Sequence, residues 1–397
     1  MLDFTFNLPT LLKFGRDAED AVGRLVRDQG GTRALVLYGG GSAVRSGLLD
    51  RVLSSLEAAG IPASALGGVR PNPLSDLVRT AIGRARADGA DFIVGVGGGS
   101  VIDTAKAVAA GVPYEGDFWD FYGGEASPAE ALPVGVVLTT AATGSEADGD
   151  SVITDASTRL KREANGACLR PRFALMDPAL TCTLPAFQTA CGIFDIMSHL
   201  IEAYLTATPD VAVSDRLLEG VMLAVIDESS RVLADPGAYG PRANIMWAAN
   251  IALNGMAGGG RAPDWASHEI EYALSSRYGI AHGAGLAVVH PAVLEASLRA
   301  RPEAAVPRLA QLAVRVWGCR DDFFEPERSA AEGIDRLRSW ARGLGLPTAL
   351  REVPGARRDD IDSLARETCH AGGRAGAVGG FAAFDEAAVA AILESAW

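Results

Sequence analysis

The chain has 397 residues, 48% of them hydrophobic and 21% charged, and a formal net charge of −13. This length exceeds what one hydrophobic core usually serves, so we expect two domains, and the acidic balance argues against nucleic acid or an anionic membrane as a partner. The five cysteines are scattered without a CxxC pair, no basic and apolar leader opens the chain, and the longest apolar window, 92–112, carries Asp103 and Lys106. We therefore expect a cytoplasmic protein with reduced thiols and no membrane span.

The first third of the chain alternates strand patterns with helix patterns. Residues 4–15 alternate apolar and polar side chains around Pro9, which predicts two short strands joined by a turn. Two apolar runs bounded by glycine, Arg33–Tyr38 and Asp91–Val96, predict buried parallel strands, and each leads into the sequence GGGS and a helix pattern. The other predicted elements are helices over 16–29, from 42 to about 59 and over 74–88, and a weaker strand over 62–69.

Strand patterns continue over 133–140, 151–155 and 172–177 and then stop. Alternation of strands and helices is typical of a parallel α/β sheet with right-handed crossovers. Beyond Leu184, long helical periods extend to Trp397, interrupted by a glycine-rich stretch at 371–380 that predicts a loop. We therefore predict an α/β domain with a parallel sheet over 1–184 and an all-helical domain over 185–397.

The two GGGS loops are candidate phosphate-binding turns. In GGGSVIDTAK, residues 97–106, glycines allow close approach of a pyrophosphate, and the following helix offers free N–H groups and a favourable dipole. Neither loop has the GxGxxG spacing of the common dinucleotide fold. The first loop, Gly39–Ser42, lacks the acidic residue that usually accepts the adenosine ribose hydroxyls of NAD, and Arg45 follows it. We therefore expect a dinucleotide site that favours NADP over NAD.

A third polar stretch, residues 138–150, follows the predicted strand at 133–140. Its small hydroxyl side chains suit a phosphate and nicotinamide-ribose site, and they are Thr139, Thr140, Thr143 and Ser145. Only three lysines occur among many arginines, which indicates that a compact ammonium is needed where lysine is kept. Lys106 lies inside GGGSVIDTAK, and Lys161 lies where an ammonium could bond ribose hydroxyls.

One carboxylate and three imidazoles form a candidate metal site. Asp195 and His199 are four residues apart on a predicted helix, so they project from one face, and His268 and His282 follow in one later segment. Such a donor set suits Zn²⁺ or Fe²⁺, and the sequence favours neither. Among the other histidines, His290 lies in an apolar run and is expected to be a satisfied structural residue.

Taken together, GGGSVIDTAK, TGSEAD, DIMSH and the two later histidines resemble the iron-containing (group III) alcohol dehydrogenases over nearly the whole chain. The resemblance is closest to the branch of NADPH-dependent aldehyde reductases and butanol dehydrogenases, in which YGGGS and PNP also occur. It implies an N-terminal Rossmann-like domain, a helical C-terminal domain, a cofactor in the cleft with the metal beneath its nicotinamide, and a homodimer through the N-terminal strand region. The implied activity is reversible hydride transfer between NADP(H) and a primary alcohol or aldehyde.

The resemblance also implies a role for individual residues of this chain. It implies that a divalent metal, Fe²⁺ or Zn²⁺, is held by Asp195, His199, His268 and His282. It implies contacts to the 2′-phosphate from Gly40, Gly41 and Ser42, to the adenosine end from Asn72, and to the pyrophosphate from Gly98, Gly99 and Ser100. It implies contacts to the nicotinamide half from Asp103, Thr139, Thr140, Thr143 and Lys161.

Three positions depart from the pattern of the resembled family. Tyr272 and Tyr278 stand where histidines often occur, and Asp148 stands where an Asn is common. Tyr272 is therefore the candidate proton donor, through its hydroxyl. Two alternatives follow: a non-redox or polyol-specific relative on the same fold, such as a dehydroquinate-synthase-like lyase or a glycerol dehydrogenase, or a catalytically silent binding protein.

Overall fold

The computed structural model describes residues 1–370 and 376–397. The chain forms two compact units. The N-terminal unit comprises residues 7–184 together with 237–246, and the C-terminal unit comprises 1–6, 185–236 and 247–397. Segments from distant parts of the sequence therefore complete each unit.

The N-terminal unit contains eight strands and six short or medium helices within residues 7–184. Its strands are β1 (Leu11–Phe14), β2 (Ala34–Tyr38), β3 (Ala63–Leu66), β4 (Phe92–Gly97), β5 (Val134–Leu138), β6 (Asp150–Thr154), β7 (Lys161–Asn165) and β8 (Phe173–Met176). Its helices are α1 (Val22–Asp28), α2 (Ser42–Arg45), α3 (Leu48–Ala58), α4 (Ser75–Asp88), α5 (Gly99–Gly111) and α6 (Asp120–Gly123).

Six of these strands form one parallel sheet in the order β1-β8-β5-β4-β2-β3. Side chains of the central strands alternate between its two faces, as the period of a strand requires. Leu35, Leu37 and Ile93 pack in one core cluster with residues of α4 and α5, whereas Val36 and Val94 pack in another with residues of α1 and α3. Helices thus cover both faces, and the prediction of an α/β domain with a parallel sheet is confirmed. The remaining strands, β6 and β7, form a separate antiparallel hairpin.

Two predictions for the N-terminal unit were wrong. The alternation over 4–15 gives only strand β1, because Phe4 and Phe6 instead lie against Gly259 and Gly255 of the C-terminal unit to which they belong. The single helix expected after Gly41 is two helices, α2 and α3. They are separated at Gly47, whose φ of 71° is a left-handed conformation that ends the first helix.

The C-terminal unit is built mainly from helices. They are α7 (Ala186–Tyr204), α8 (Ala212–Ala234), α9 (Tyr239–Leu253, which begins in the N-terminal unit), α10 (Ala266–Tyr278), α11 (His282–Ala300), α12 (Pro302–Arg315), α13 (Pro326–Gly343), α14 (Ile361–His370) and α15 (Glu386–Ser395). One antiparallel pair, β9 (Ala377–Val378) and β10 (Phe384–Asp385), interrupts them. The unit is therefore mostly rather than entirely helical, and the loop predicted over 371–380 contains β9. Residues 371–375 of that predicted loop lie outside the described residues.

Helix α7 is the central element of the C-terminal unit. All its residues from Thr189 to Tyr204 are buried, including polar ones, so this helix is covered on all sides. Helices α8 and α11 pack against it. Over the described residues, no helix combines the length and apolar character that crossing a membrane requires.

Candidate functional site

Helix α7 presents Asp195 and His199 one turn apart in the interior of the C-terminal unit. Both are buried, with exposed fractions of 2% and 5%. The Nδ1 of His199 donates to the backbone carbonyl of Asp195 at 2.8 Å. This hydrogen bond fixes the orientation of the ring. It leaves Nε2 as the ring nitrogen that can coordinate a metal, as is usual for metal-ligating histidines.

Asp195 meets two histidines from other helices. One ligand atom from each of Asp195, His268 and His282 lies within 4.8 Å of the other two. The Nε2 atoms of His268 and His282 are each 3.7 Å from Oδ1 of Asp195. Ligand atoms around a tetrahedral ion at bond lengths near 2.1 Å are about 3.4 Å apart, so these separations fit a divalent metal. His199 lies outside this closest group, but its ring centre is 4.4 Å from that of His268.

The bonding state of these atoms also fits a metal. Oδ1 of Asp195 and Nε2 of His268 are buried and lack a hydrogen-bond partner among the described residues. Buried polar atoms are normally paired, because leaving one unpaired costs about 1–3 kcal/mol. A cation bound between these two atoms would satisfy both of them.

Burial and mutual charge separate the pKa values of three candidate ligands, Asp195, His199 and His268. Burial would raise the pKa of Asp195, but the neighbouring histidines outweigh it and hold that pKa below its usual value. Burial lowers the pKa of His199 to about 4, so this imidazole is neutral at physiological pH. Burial acts in the same direction on His268, yet the negative charges of Glu202 and Asp195 and the bond to Glu202 raise its pKa to about 10. Metal binding at His268 would therefore displace a proton.

Two buried glutamates that the sequence did not single out form hydrogen bonds to two of the candidate ligands. The Nδ1 of His268 bonds Oε2 of Glu202, and the Nδ1 of His282 bonds Oε2 of Glu271. A sequence pattern does mark them: SHLIE and SHEIE place a Glu three residues after His199 and after His268. The spacing puts each Glu on the face of the helix that carries the histidine.

Two glycines after His282 allow α11 to enter this site. A Cβ on Gly283 would lie 2.0 Å from the backbone oxygen of Cys191, so only glycine permits this approach of α11 to α7. A Cβ on Gly285 would lie 2.5 Å from Oε1 of Glu271. The sequence HGAG is thus explained by close packing around the candidate ligand.

Aromatic side chains flank the candidate metal site. Trp265 packs edge-on against the rings of His199 and His268, at centre separations of 5.9 and 5.3 Å. The ring of Tyr272, the candidate proton donor, is 5.8 Å from that of His282. Tyr278 is engaged differently, because its hydroxyl donates to Asp360 at 3.1 Å.

His290 differs in one respect from its predicted role. It is fully buried, as expected, but neither ring nitrogen has a hydrogen-bond partner within the described parts of the chain, so it is not satisfied. Burial lowers its pKa to about 4, which keeps the ring neutral. Burying an imidazole without a hydrogen bond costs less free energy when the ring is neutral than when it is charged.

In the N-terminal unit, the two GGGS loops lie side by side at the carboxyl edge of the sheet. Strands β2 and β4 are parallel neighbours, with Tyr38 opposite Val96, so both loops leave the same edge. The chain goes from β2 outward to β3 and then returns to the other side of β2 as β4, which makes this pair the point where strand order reverses. Ligands of open parallel sheets bind at such a point.

Threonines of the loop that follows β5 pack against the second GGGS turn. The Thr139 amide donates to Gly97 O at 3.0 Å. A Cβ on Gly98 would lie 2.9 Å from Thr140, and one on Gly99 would lie 2.9 Å from Oγ1 of Thr143. These predicted cofactor residues therefore form one cluster at the N-terminus of α5, where unpaired N–H groups suit an anion.

Below this turn, Lys106 organises a buried polar network. Its Nζ donates to Asp148 Oδ1 at 2.5 Å, to Ser145 Oγ at 2.9 Å and to the Asp150 carbonyl at 2.7 Å. The Ser145 hydroxyl in turn donates to Asp103 Oδ1 at 2.8 Å. Burial raises the pKa of the Asp103 carboxyl to about 7. The sequence singled out Lys106, but not this set of partners.

The remaining predicted cofactor residues lie at two places, each marked by one contact. Nζ of Lys161 on β7 donates to Oδ1 of Asn72 at 3.0 Å, which pairs two residues assigned to different halves of the cofactor. A Cβ on Gly41 would lie 3.2 Å from Nη1 of Arg45, so this guanidinium lies beside the first GGGS loop, which also contains Gly40 and Ser42.

Comparisons with known proteins find similar sequences and a similar fold over nearly the whole chain. Residues 9–178 match the family model described as iron-containing alcohol dehydrogenase, and residues 189–397 match that of the Fe-containing alcohol dehydrogenase family, C-terminal. The chain is 38% identical to a probable NADH-dependent butanol dehydrogenase 1 of Bacillus subtilis, over 92% of this chain and 93% of the relative. It is 36% identical to the NADPH-dependent aldehyde reductase YqhD of Escherichia coli, over 89% of each. The crystal structure of an NADH-dependent butanol dehydrogenase A from Thermotoga maritima is similar, with a TM-score of 0.95 at 35% identity, over 100% of this chain and 99% of that one.

Proposed function

The chain belongs to the iron-containing alcohol dehydrogenase family, and we propose that it reduces aldehydes to primary alcohols with NADPH at a divalent metal held by Asp195, His199, His268 and His282. That it is a nicotinamide-dependent oxidoreductase acting on alcohols and aldehydes follows from its relatives. The coenzyme preference, the metal and the roles of individual residues are the proposal.

One observation carries the metal site. Asp195, His268 and His282 come from three helices, yet their ligand atoms meet within 4.8 Å, and two of those atoms are buried without a hydrogen-bond partner among residues 1–370 and 376–397. When bound, a divalent cation supplies Lewis-acid polarisation of a carbonyl, and the nicotinamide supplies the hydride. The four side chains would hold the cation in a fixed position, and Trp265 would restrict access of water on one side.

Tyr272 is the residue that we assign to proton transfer. This assignment is supported by the position of its ring, whose centre is 5.8 Å from that of His282, a candidate metal ligand. It would donate its proton to the substrate oxygen that becomes the alcohol hydroxyl. Tyr272→Phe should lower kcat for aldehyde reduction by at least about 10²-fold, the usual lower value for a general acid. Unchanged kcat in that variant, with metal content equal to that of the wild type, would assign the proton to another group.

The carboxyl edge of the sheet would hold the cofactor. Backbone N–H groups of Gly98, Gly99 and Ser100 would bind the pyrophosphate at the start of α5. On the nicotinamide half, Asp103 and Lys161 would contact ribose hydroxyls, with Asn72 fixing the lysine by the bond that it accepts. The threonine cluster would line the same half, and its members are Thr139, Thr140 and Thr143.

The preference for NADP rests on the first GGGS loop. Gly40, Gly41 and Ser42 place no carboxylate near the expected 2′-phosphate, and Arg45 lies beside Gly41. Relatives of similar identity are named for NADH or for NADPH, so the family alone does not decide. Arg45→Ala should weaken NADPH binding relative to NADH about 10-fold, or about 1.4 kcal/mol for one charge-assisted bond. Arg24→Ala is the matched control, because Arg24 is also an arginine and is exposed. Equal efficiency of the wild type with NADH and NADPH would refute the preference.

We propose a cytoplasmic homodimer. None of the five cysteines forms a disulfide in the described part of the chain, which suits a reducing compartment. Strand β1 forms one edge of the sheet, and its Leu11 and Phe14 are 46% and 39% exposed, which favours pairing with a second copy. Light scattering should give twice the 41.2 kDa of one chain, and Leu11→Lys should shift the mass towards the monomer. A monomeric wild type at micromolar concentration would contradict the dimer.

Butanal is a suitable first substrate, because several relatives are named butanol dehydrogenases. Apoprotein prepared with a chelator should reduce butanal with NADPH only after addition of Fe²⁺ or Zn²⁺. Activity that is independent of both metals would contradict the proposed function, and the better of the two would identify the working metal.

A further inference from the structure

We propose that Glu202 and Glu271 are positioning residues for the metal: each holds one histidine ligand by its Nδ1 and so raises the affinity of the site. The proposal rests on the proposed metal-dependent function, because it concerns the same ligands. Within the described residues, the group of converging ligand atoms is formed by Asp195, His268 and His282 and does not include either glutamate.

Glu202 is fixed at both of its carboxylate oxygens. Oε2 bonds the Nδ1 of His268, and Oε1 accepts from the Ser267 amide at 2.7 Å. Its exposed fraction is 1%. A carboxylate anchored in this way sets both the tautomer and the plane of the His268 ring.

Glu271 has an equally defined place. Its Oε2 bonds the Nδ1 of His282, and its exposed fraction is 0%. Gly285 leaves the room that this carboxylate fills, since a Cβ there would lie 2.5 Å from Oε1. Glu271 can therefore occupy this position only because residue 285 is a glycine.

Each glutamate bonds a histidine ligand that belongs to a different helix. Glu202 of α7 holds His268 of α10, and Glu271 of α10 holds His282 of α11. With Nδ1 occupied on both rings, both Nε2 atoms face Oδ1 of Asp195 at 3.7 Å. The repeated sequence SHxIE thus places on α7 and on α10 both a ligand and the support for another ligand.

A charged partner does more than orient a ring. A carboxylate bonded to Nδ1 increases the basicity of the imidazole and strengthens its bond to a metal, and loss of such a partner typically costs 10–100-fold in metal affinity. His199 lacks this support, because its Nδ1 bonds a neutral backbone carbonyl. The three histidines are therefore not equivalent in how their rings are held.

Metal affinity, measured without any turnover, tests the proposal. Glu202→Gln and Glu271→Gln keep the size of the side chain and an oxygen acceptor but remove the charge. The matched control is Glu219→Gln, because Glu219 is 3% exposed but bonds Tyr204 and Arg216 instead of a ligand. Apoprotein is titrated with Zn²⁺ against a competing chromophoric chelator, and the visible spectrum of the Co²⁺ form reports the ligand geometry. Circular dichroism checks the fold of each variant.

Each glutamine variant should bind Zn²⁺ 10–100-fold more weakly and change the Co²⁺ spectrum, while Glu219→Gln should stay within twofold of the wild type. If a glutamine variant does not fold, Glu202→Asp or Glu271→Asp, which withdraws the carboxylate by one methylene, should also weaken binding. Affinity within threefold of the wild type in the folded variants, with an unchanged spectrum, would overturn the positioning role while leaving the proposed function intact. A wild type that binds neither ion would overturn both proposals.

Discussion

Removing the charge of Lys106 should destabilise the N-terminal unit more than most single substitutions. The side chain has an exposed fraction of 0%, and its ammonium donates three bonds, to Asp148, Ser145 and the carbonyl of Asp150. These bonds use all three of its hydrogens. Lys106→Met preserves the approximate volume but leaves the Asp148 carboxylate, itself 4% exposed, without its cationic partner.

Breaking one side of a buried ion pair costs about 3–5 kcal/mol, because the remaining charge is uncompensated. At about 2–4 °C per kcal/mol for a domain of 150–250 residues, the expected fall in Tm is about 6–20 °C. The affinity for NADPH should fall as well, since Ser145 links Lys106 to Asp103. Thermal unfolding followed by circular dichroism gives the first quantity, and fluorescence titration with NADPH gives the second.

Two further variants separate charge from packing. Arg27→Met is the control, because Arg27 is exposed on α1, away from the proposed dimer strand, and it should change stability by less than about 0.5 kcal/mol. The double variant Lys106→Met with Asp148→Leu should recover part of the loss, since no unpaired charge is left buried. A loss below about 1 kcal/mol for Lys106→Met alone would refute the reasoning.

Two other predictions concern the same unit. Because burial raises the pKa of Asp103 to about 7, the folded protein keeps a proton there that the unfolded chain has already released above about pH 4. Stability should therefore fall as pH rises between about 4 and 7, and Asp103→Asn should flatten this part of a plot of Tm against pH; an unchanged plot would contradict the assignment. Gly99→Ala would place a Cβ 2.9 Å from Oγ1 of Thr143 and disturb the pyrophosphate turn, so its Kd for NADPH should rise at least about 10-fold. Gly83→Ala, whose new Cβ would have no described atom within 4 Å, should leave that Kd unchanged, and equal values for the two variants would argue against the turn as the binding site.

Local patterns in the sequence predicted the parts of the fold that depend on local physics. The apolar runs at 33–38 and 91–96 became β2 and β4, because a strand buried on both faces needs continuous apolar residues. The i, i+4 spacing of Asp195 and His199 placed both on one face of α7. The choice of His268 and His282 relied on there being few histidines, and the structure brings both of them to Asp195.

Apart from the local break between α2 and α3 at Gly47, the parts that were missed depend on contacts between residues far apart in the sequence. The alternation around Phe4 and Phe6 predicted a strand, but their packing partners are glycines some 250 residues away in the sequence. Glu202 and Glu271 resembled ordinary surface glutamates on helices, and only the packing of three helices shows which histidine each one bonds. In such cases the sequence contains the residue, whereas its role is set by tertiary structure.

The most direct test of the account is metal content and turnover measured together in the wild type and in His199→Ala. His199 is the sharpest choice, because it lies outside the closest group of ligand atoms while its ring adjoins that of His268. We expect about one divalent metal per chain and NADPH-dependent reduction of butanal in the wild type, and loss of both in a folded His199→Ala protein. A metal-free His199→Ala protein that turns over butanal at the rate of the wild type would contradict it.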